Sequence, residues 1–379
     1  MRRCRMAMVG GGPGSFIGPV HVMAAQLDGD IELVAGAFSS RPEKSAEAGR
    51  SYRIAADRAY GSYAEMLARE PQQPQPADFV AIVTPNMLHF DAARAALRAG
   101  FHVVSDKPAT ATLREAVQLR DEVSRSRKFY VLTHTYTGYP LVREARDICR
   151  SGAIGEIRKV VVEYTQGWLS ERLELSGNPQ AAWRTDPTRA GAGGCIGDIG
   201  VHAFNLVEYV TGQNVAAISA VLSRIAPGRA LDDDCNVLLR LANGAPGVLH
   251  ASQIAIGERN RLELRVYGSK GSISWKQEEP SRLTVHWPDR PTETRHAGCG
   301  YLGATARRAT RLPAGHPEGY IEAFANIYRE FAGLVRRRDE GDEQAWSDTL
   351  CGIEAAVRGM TFIERAIESS ARSAWVQID

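Results

Sequence analysis

Short apolar runs alternate with helical periods over residues 1–135. Cys4–Val9, Ile31–Phe38, Asp78–Thr84, His102–Ser105 and Tyr130–Thr133 read as strands. They are continuous apolar runs rather than in/out alternations, the mark of a parallel sheet buried on both faces. Val20–Leu27, Ser62–Arg69, His89–Ala99 and Leu113–Val123 read as the intervening helices. The proline-rich Pro71–Pro76 is a loop, because proline fits neither a helix interior nor a ladder. Strand, helix, strand in this order predicts an α/β, Rossmann-type doubly wound parallel sheet.

The pattern changes after residue 135. Val160–Gln166, Ala217–Ser223, Cys235–Leu241, Gly247–Ile254, Leu262–Tyr267 and Ser272–Trp275 read as strands, with turn signals at Asn243-Gly244 and Gly268–Gly271. Tight turns join antiparallel neighbours. Tyr320–Val335 and Leu350–Ile367 read as helices, and the Gly-, Pro- and Arg-rich Pro288–Pro313 as an excursion or lid. Residues 136–379 are therefore predicted to form an α+β domain with a large open, mainly antiparallel sheet, following a domain of residues 1–135. One wide face of such a sheet needs cover, which predicts a homodimer or homotetramer.

A chain of 379 residues with 44% hydrophobic and 24% charged residues fits two globular domains. Formal net charge is +2, which offers no footprint for nucleic acid or an anionic membrane. No apolar run reaches the roughly 18–20 residues of a membrane span. The basic start Met1–Arg5 leads into a strand rather than a signal-peptide core, so the reading is cytoplasmic. The six cysteines form no C-x-x-C pair and the nine histidines no H-E-x-x-H, so reduced thiols and no metal are expected. Asp232-Asp233-Asp234 reads as a solvated turn.

Val9-Gly10-Gly11-Gly12-Pro13-Gly14-Ser15-Phe16-Ile17-Gly18 joins the first strand to the first helix. Glycines there allow a tight turn and close approach of backbone N–H groups to a pyrophosphate, with a helix N-terminus facing the charge. Gly10 and Gly12 fit that fingerprint; its third glycine is Gly14 or Gly18 according to register. Ser15, Phe16 and Ile17 complete the expected dinucleotide contact. The second strand ends in Ser39-Ser40-Arg41 without the acid that would hold a ribose 2′-hydroxyl. Hydroxyls beside a guanidinium suit a 2′-phosphate, so the reading leans to NADP with NAD open.

Three further segments complete a set: Thr84-Pro85-Asn86-Met87-Leu88-His89, then Ser105-Asp106-Lys107-Pro108, then Gly193-Gly194-Cys195-Ile196-Gly197-Asp198-Ile199-Gly200-Val201-His202. With the glycine turn, they resemble the glucose–fructose oxidoreductase/inositol dehydrogenase/rhizopine-catabolism (Gfo/Idh/MocA) family over nearly the whole chain. The resemblance implies hydride transfer between a nicotinamide coenzyme and a ring hydroxyl carbon of a sugar or cyclitol. It puts Thr84, Pro85, Asn86, His89, Asp106 and Lys107 at the coenzyme, and the family's lysine, aspartate and histidine on Lys107, Asp198 and His202; His134, at the end of the domain's last strand, is a further coenzyme candidate by its position. Asp106 departs from it, since the family usually has Glu before Lys-Pro. The family also implies two alternatives, a glycosidase using transient oxidation and a non-catalytic sugar sensor.

These residue types suit the chemistry. A carbinol that loses hydride must also lose its hydroxyl proton, and imidazole is the natural acceptor near neutral pH. Residues four apart share a helix face, so Asp198 projects with His202, to orient it or to bind a neighbouring hydroxyl. The Lys107 ammonium can stabilise a developing alkoxide. Around them, Tyr136, Gln166, Trp168, Trp183, Arg184, His316 and Glu318 are candidate sugar contacts; Trp183 reads equally as structural, and Glu318 as a complement to a helix dipole.

Overall fold

The computed structural model describes residues 2–378. Its contacts divide the chain into two compact units, Met1–Thr135 with Phe324–Val357, and Tyr136–Ala323 with Arg358–Asp379.

In the first unit, strands β1 (Cys4–Gly10), β2 (Ile31–Ala37), β3 (Phe79–Val83), β4 (His102–Ser105) and β5 (Tyr130–Leu132) form one sheet in the order β2-β1-β3-β4-β5. Every pairing is parallel. All five strands therefore end at the same edge, and the order reverses between β1 and β3, where ligands bind in doubly wound folds. The return of residues 324–357 to this unit corrects a domain boundary drawn once, at residue 135. Aromatic packing causes it. Phe331 meets Phe79 edge-on at 4.8 Å, and the Tyr328 hydroxyl bonds buried His21 Nδ1 at 2.6 Å. Phe331 and Tyr328 belong to helix Tyr320–Asp339, and no sequence signal ties that helix to partners roughly 250–300 residues earlier rather than to its neighbours.

Helix Pro42–Ser51 is absent from the sequence reading because it buries only Ser45, Ala48 and Gly49. A face of small residues gives no apolar period.

The second unit holds β6 (Ile157–Thr165), β7 (Val215–Ser223), β8 (Asp234–Leu241), β9 (Pro246–Ser252), β10 (Arg261–Gly268), β11 (Ser272–Lys276), β12 (Arg282–His286), β13 (Glu293–His296) and β14 (Val376–Gln377). They form one nine-stranded sheet in the order β13-β12-β11-β10-β6-β9-β8-β7-β14. Only β6 and β9 pair in parallel; the other neighbours are antiparallel. Gly244, at φ +87°, makes the β8–β9 turn.

The expected lid at Pro288–Pro313 is instead part of the fold. β13 extends the sheet, and Glu144 accepts hydrogen bonds from Arg295 Nη1 at 2.6 Å and from the Gly303 amide at 2.8 Å. Glu144 lies on helix Pro140–Arg150, which buries Arg143, Glu144 and Arg146. Their charges hide its inward face from a hydrophobic pattern, which is why the sequence reading passes over this helix.

Candidate active site

In the first unit the coenzyme candidates gather by topology, since each follows the carboxyl end of a parallel strand. Gly10 closes β1 at φ +94°, and a Cβ there would lie 2.7 Å from the Val83 carbonyl oxygen. Gly18, in helix Ile17–Gln26, packs so that its Cβ would stand 2.3 Å from Gly11 Cα. Close packing of helix on turn is therefore met by Gly18, while Gly14 stands in the open loop with nothing within 4 Å of a Cβ. Helix Ile17–Gln26 has no side-chain cap at Phe16, and the Ser15 hydroxyl accepts the Gly18 amide at 3.2 Å. A glycine cradle at the start of a helix fits a dinucleotide pyrophosphate. Tyr52, which the sequence reading did not select, closes the cradle by donating its hydroxyl to Gly11 O at 2.8 Å.

The neighbouring strand ends complete this edge. The Ser39 hydroxyl accepts the Arg41 amide at 3.2 Å, and Ser40 and Arg41 are exposed. His89 is buried and bridges the carbonyl oxygens of Thr84 and Pro108 at 2.8 and 2.7 Å. It thus ties the Thr84-Pro85-Asn86 loop to the Lys107-Pro108 loop. The Asp106 carboxylate accepts the Lys107 amide at 2.9 Å and the Thr133 hydroxyl at 3.1 Å, so this shorter acid is held by the next residue and by the end of β5. Lys107 is half-buried and precedes a cis proline. Burial pushes the His134 imidazole down to about 3, with the Lys107 charge adding to it, so His134 is neutral at physiological pH.

In the second unit the glycine-rich segment departs from the expected α-helix. Ile196–Gly200 is a π-helical turn, closed by the Val201 amide on the Ile196 carbonyl, and it runs into helix Val201–Thr211. Such turns inside helices are frequent at functional sites. Asp198 Oδ2 accepts Gln253 Nε2 at 2.8 Å and Arg184 Nε at 3.1 Å. The Arg184 guanidinium stands 4.2 Å from the Trp183 ring centroid and 5.8 Å from that of Trp168.

A chain of contacts continues from there. Trp168 Nε1 donates to Gln166 Oε1 at 2.9 Å, Gln166 Nε2 to Asn260 Oδ1 at 2.7 Å, and the Tyr164 hydroxyl to the same oxygen at 2.8 Å. The Tyr164 and Tyr136 hydroxyls bond each other. The Tyr136 ring meets His202 edge-on, centroids 5.0 Å apart. Burial raises both phenols, so each keeps its proton as a donor.

The structure thus joins Tyr136, Gln166, Trp168, Trp183, Arg184, Asp198 and His202 into one shell. Tyr164, Gln253 and Asn260 belong to it and escaped the sequence reading; their only sequence trace is a position in or after a strand end. Two expected contacts have other partners. The Glu318 carboxylate accepts the Leu312 amide at 2.7 Å and pairs with Arg311, so it braces its own loop. His316 is exposed, with Nδ1 3.2 Å from Pro313 O.

The expected solvated turn at 232–234 is also corrected. Asp232 and Asp233 are 8% and 1% exposed, because their carboxylates serve as acceptors for buried backbone amides. Burial raises the Asp232 carboxyl, against the opposing bonds from Ile196 and Gly194.

A doubly wound sheet with a glycine cradle at its switch point, in a chain that also carries an acid–imidazole shell, defines a nicotinamide-dependent oxidoreductase. Residues 4–134 match the oxidoreductase family with an NAD-binding Rossmann fold, and residues 142–274 match the GFO/IDH/MocA C-terminal domain. The chain belongs to the Gfo/Idh/MocA family. It is 31% identical to the oxidoreductase YfiI of Bacillus subtilis, over 98% of this chain and 96% of that one. Levoglucosan dehydrogenase of Pseudarthrobacter phenanthrenivorans is 27% identical, over 100% and 99%. An inositol dehydrogenase homologue from Azotobacter vinelandii, solved with NAD+, superposes with a TM-score of 0.94 at 34% identity, covering 99% of this chain and 97% of that one. Among the described residues, no helix is long and apolar enough to cross a membrane.

Proposed function

We propose that this chain is a cytoplasmic NAD(P)-dependent dehydrogenase or reductase of a ring hydroxyl in a sugar or cyclitol. The observation that carries this reading is the second unit's shell. It sets indole and phenol rings beside amides, the Asp198 carboxylate and the His202 imidazole, matching the apolar C–H faces and the many hydroxyls of a polyhydroxylated ring. Relatives named for inositol and levoglucosan oxidation support the same class.

When bound, the nicotinamide supplies the carbon that accepts or returns hydride. His202 takes the hydroxyl proton as general base. Asp198, directed by Arg184 and Gln253, orients the imidazole or a neighbouring hydroxyl. Lys107 stabilises negative charge on the reacting oxygen. A panel of inositols, aldoses and anhydrosugars with each coenzyme, read at the nicotinamide absorbance band, tests the assignment. Turnover of a member supports it, and silence across the panel sinks it. Cleavage of a glycosidic bond without net absorbance change would point to the glycosidase alternative.

The coenzyme preference rests on Ser39-Ser40-Arg41, where two hydroxyls and an exposed guanidinium stand in place of an acid. Arg41→Ala is expected to raise the Kd of NADPH by about tenfold and leave that of NADH nearly unchanged, since a charge-assisted bond contributes about 1.5 kcal/mol or more. Equal loss for both removes the preference for a 2′-phosphate.

The open face of the nine-stranded sheet leaves Val221 62% and Leu238 51% exposed. A second copy of the chain is the proposed cover, as isologous pairing of one face allows. Sedimentation velocity should show a dimer or tetramer, and Leu238→Arg should shift it toward monomer; a monomeric wild type rejects the cover.

A further inference from the structure

We propose that Asp232 is a positioning residue for the reaction just described. It holds the start of the π-helical turn and thereby the direction of Asp198 and His202. This inference rests on the oxidoreductase reading for its catalytic consequence and on geometry for the rest.

Three successive amides are taken by this one residue. Asp232 Oδ1 accepts the Gly194 N–H at 2.7 Å, Oδ2 accepts the Ile196 N–H at 2.7 Å, and the Asp232 carbonyl accepts the Cys195 N–H at 2.8 Å. The approach is close enough that a Cβ on Gly194 would fall 2.1 Å from the Asp232 carbonyl oxygen. The two residues bound by the carboxylate are also those that close the turn. Gly194 O accepts the Asp198 amide at 2.9 Å, and Ile196 O accepts the Val201 amide. Asp198 and the first residue of the His202 helix are thus each one hydrogen bond from an anchor on Asp232.

A helix start has amides without intrahelical partners, and a carboxylate satisfies two of them at once. At this start the acceptor comes from a distant segment, since Cys195 makes no side-chain cap. The neighbouring Asp233 has the same burial and chemistry at another place. Its carboxylate accepts the Ile225 and Ala226 amides at 2.7 and 2.9 Å and pairs with Arg229. That makes Asp233 an internal control: its carboxylate holds the 225–226 segment and not the turn, and its backbone carbonyl, which takes the Gln253 amide, is unchanged by a side-chain substitution.

The test compares Asp232→Asn with Asp233→Asn. The amide keeps the shape of the side chain but points an NH2 at a backbone N–H, so one anchor is lost. Asp232→Asn is expected to lower kcat on the order of 10²-fold, as a misplaced reacting group does. It should leave the Kd of NADH unchanged. Asp233→Asn should lose similar thermal stability and keep kcat. Gly194→Ala leaves the carboxylate in place, presses the same contact from the other side, and should reproduce the Asp232→Asn split.

Histidine-selective 13C NMR provides a readout that needs no turnover. The His202 ring resonance, shifted by the adjacent Tyr136 ring, should move in Asp232→Asn and stay in Asp233→Asn. A wild type silent on every substrate, with the His202 signal moving in Asp232→Asn alone, removes the substrate assignment and supports the positioning. An unmoved His202 signal, or equal kcat in the two asparagine variants of an active enzyme, overturns the positioning.

Discussion

His202→Ala is expected to lower kcat by on the order of 10²-fold or more, the usual worth of a positioned general base. Its ring is nearly buried, 8% exposed, at the base of helix Val201–Thr211, and it packs edge-on against Tyr136 and near Tyr164. A core histidine would fit the same burial, so the measurement must separate the two roles. A base leaves a KM-against-kcat signature: kcat falls, the Kd of NADH stays, and the acid limb of the pH–rate profile, where imidazole protonates, disappears. A packing histidine lowers the melting temperature and leaves turnover per folded molecule intact. His202→Gln, which fills most of the space, keeps the fold in either case and is expected to be as slow as the alanine variant. Wild-type turnover in the glutamine variant rejects His202 as the base.

Lys107→Met carries the second large effect, a fall in kcat of about 10²–10³-fold, the range for removing one donor that stabilises developing negative charge. Methionine keeps the flexible apolar stem and removes only the ammonium. The glycine cradle at Gly10–Gly12 is untouched, so coenzyme affinity should hold while turnover falls. Stopped-flow measurement of the hydride step beside NADH fluorescence titration distinguishes these. His134 serves as a second control. Its imidazole is pushed down chiefly by burial and only secondarily by Lys107, so it stays neutral in the variant. A neutral His134 is therefore not a substitute cation. Loss of NADH binding with an unchanged hydride step would make Lys107 a coenzyme contact and nothing more.

How much of this was legible beforehand depended on whether the signal was local. The five parallel strands were readable because each is a short apolar run buried on both faces, and β4 matches the expected His102–Ser105 residue for residue. The Asp198–His202 segment was readable because its glycines, acid and imidazole stand within ten residues. Helix Pro140–Arg150 was not, since Arg143, Glu144 and Arg146 point inward to partners that a hydrophobic pattern does not show. Glu318 was misassigned for the same reason: a carboxylate at a helix start looks alike whether it meets a sugar or, as here, the amides of Arg311 and Leu312.

The amino-acid sequence alone determined the parallel sheet and the dinucleotide turn, and it marked Lys107, Asp198 and His202 as candidates, because those signals depend on neighbours a few positions away. Tertiary structure decided which partners fix them. Gln253 and Arg184 direct Asp198, Asp232 takes the amides of Gly194 and Ile196, and residues 324–357 return to the first sheet. Those contacts join residues far apart in the chain, and a buried hydrogen bond or aromatic contact leaves no period along a sequence; it exists only once folding has brought its two ends within about 3–5 Å.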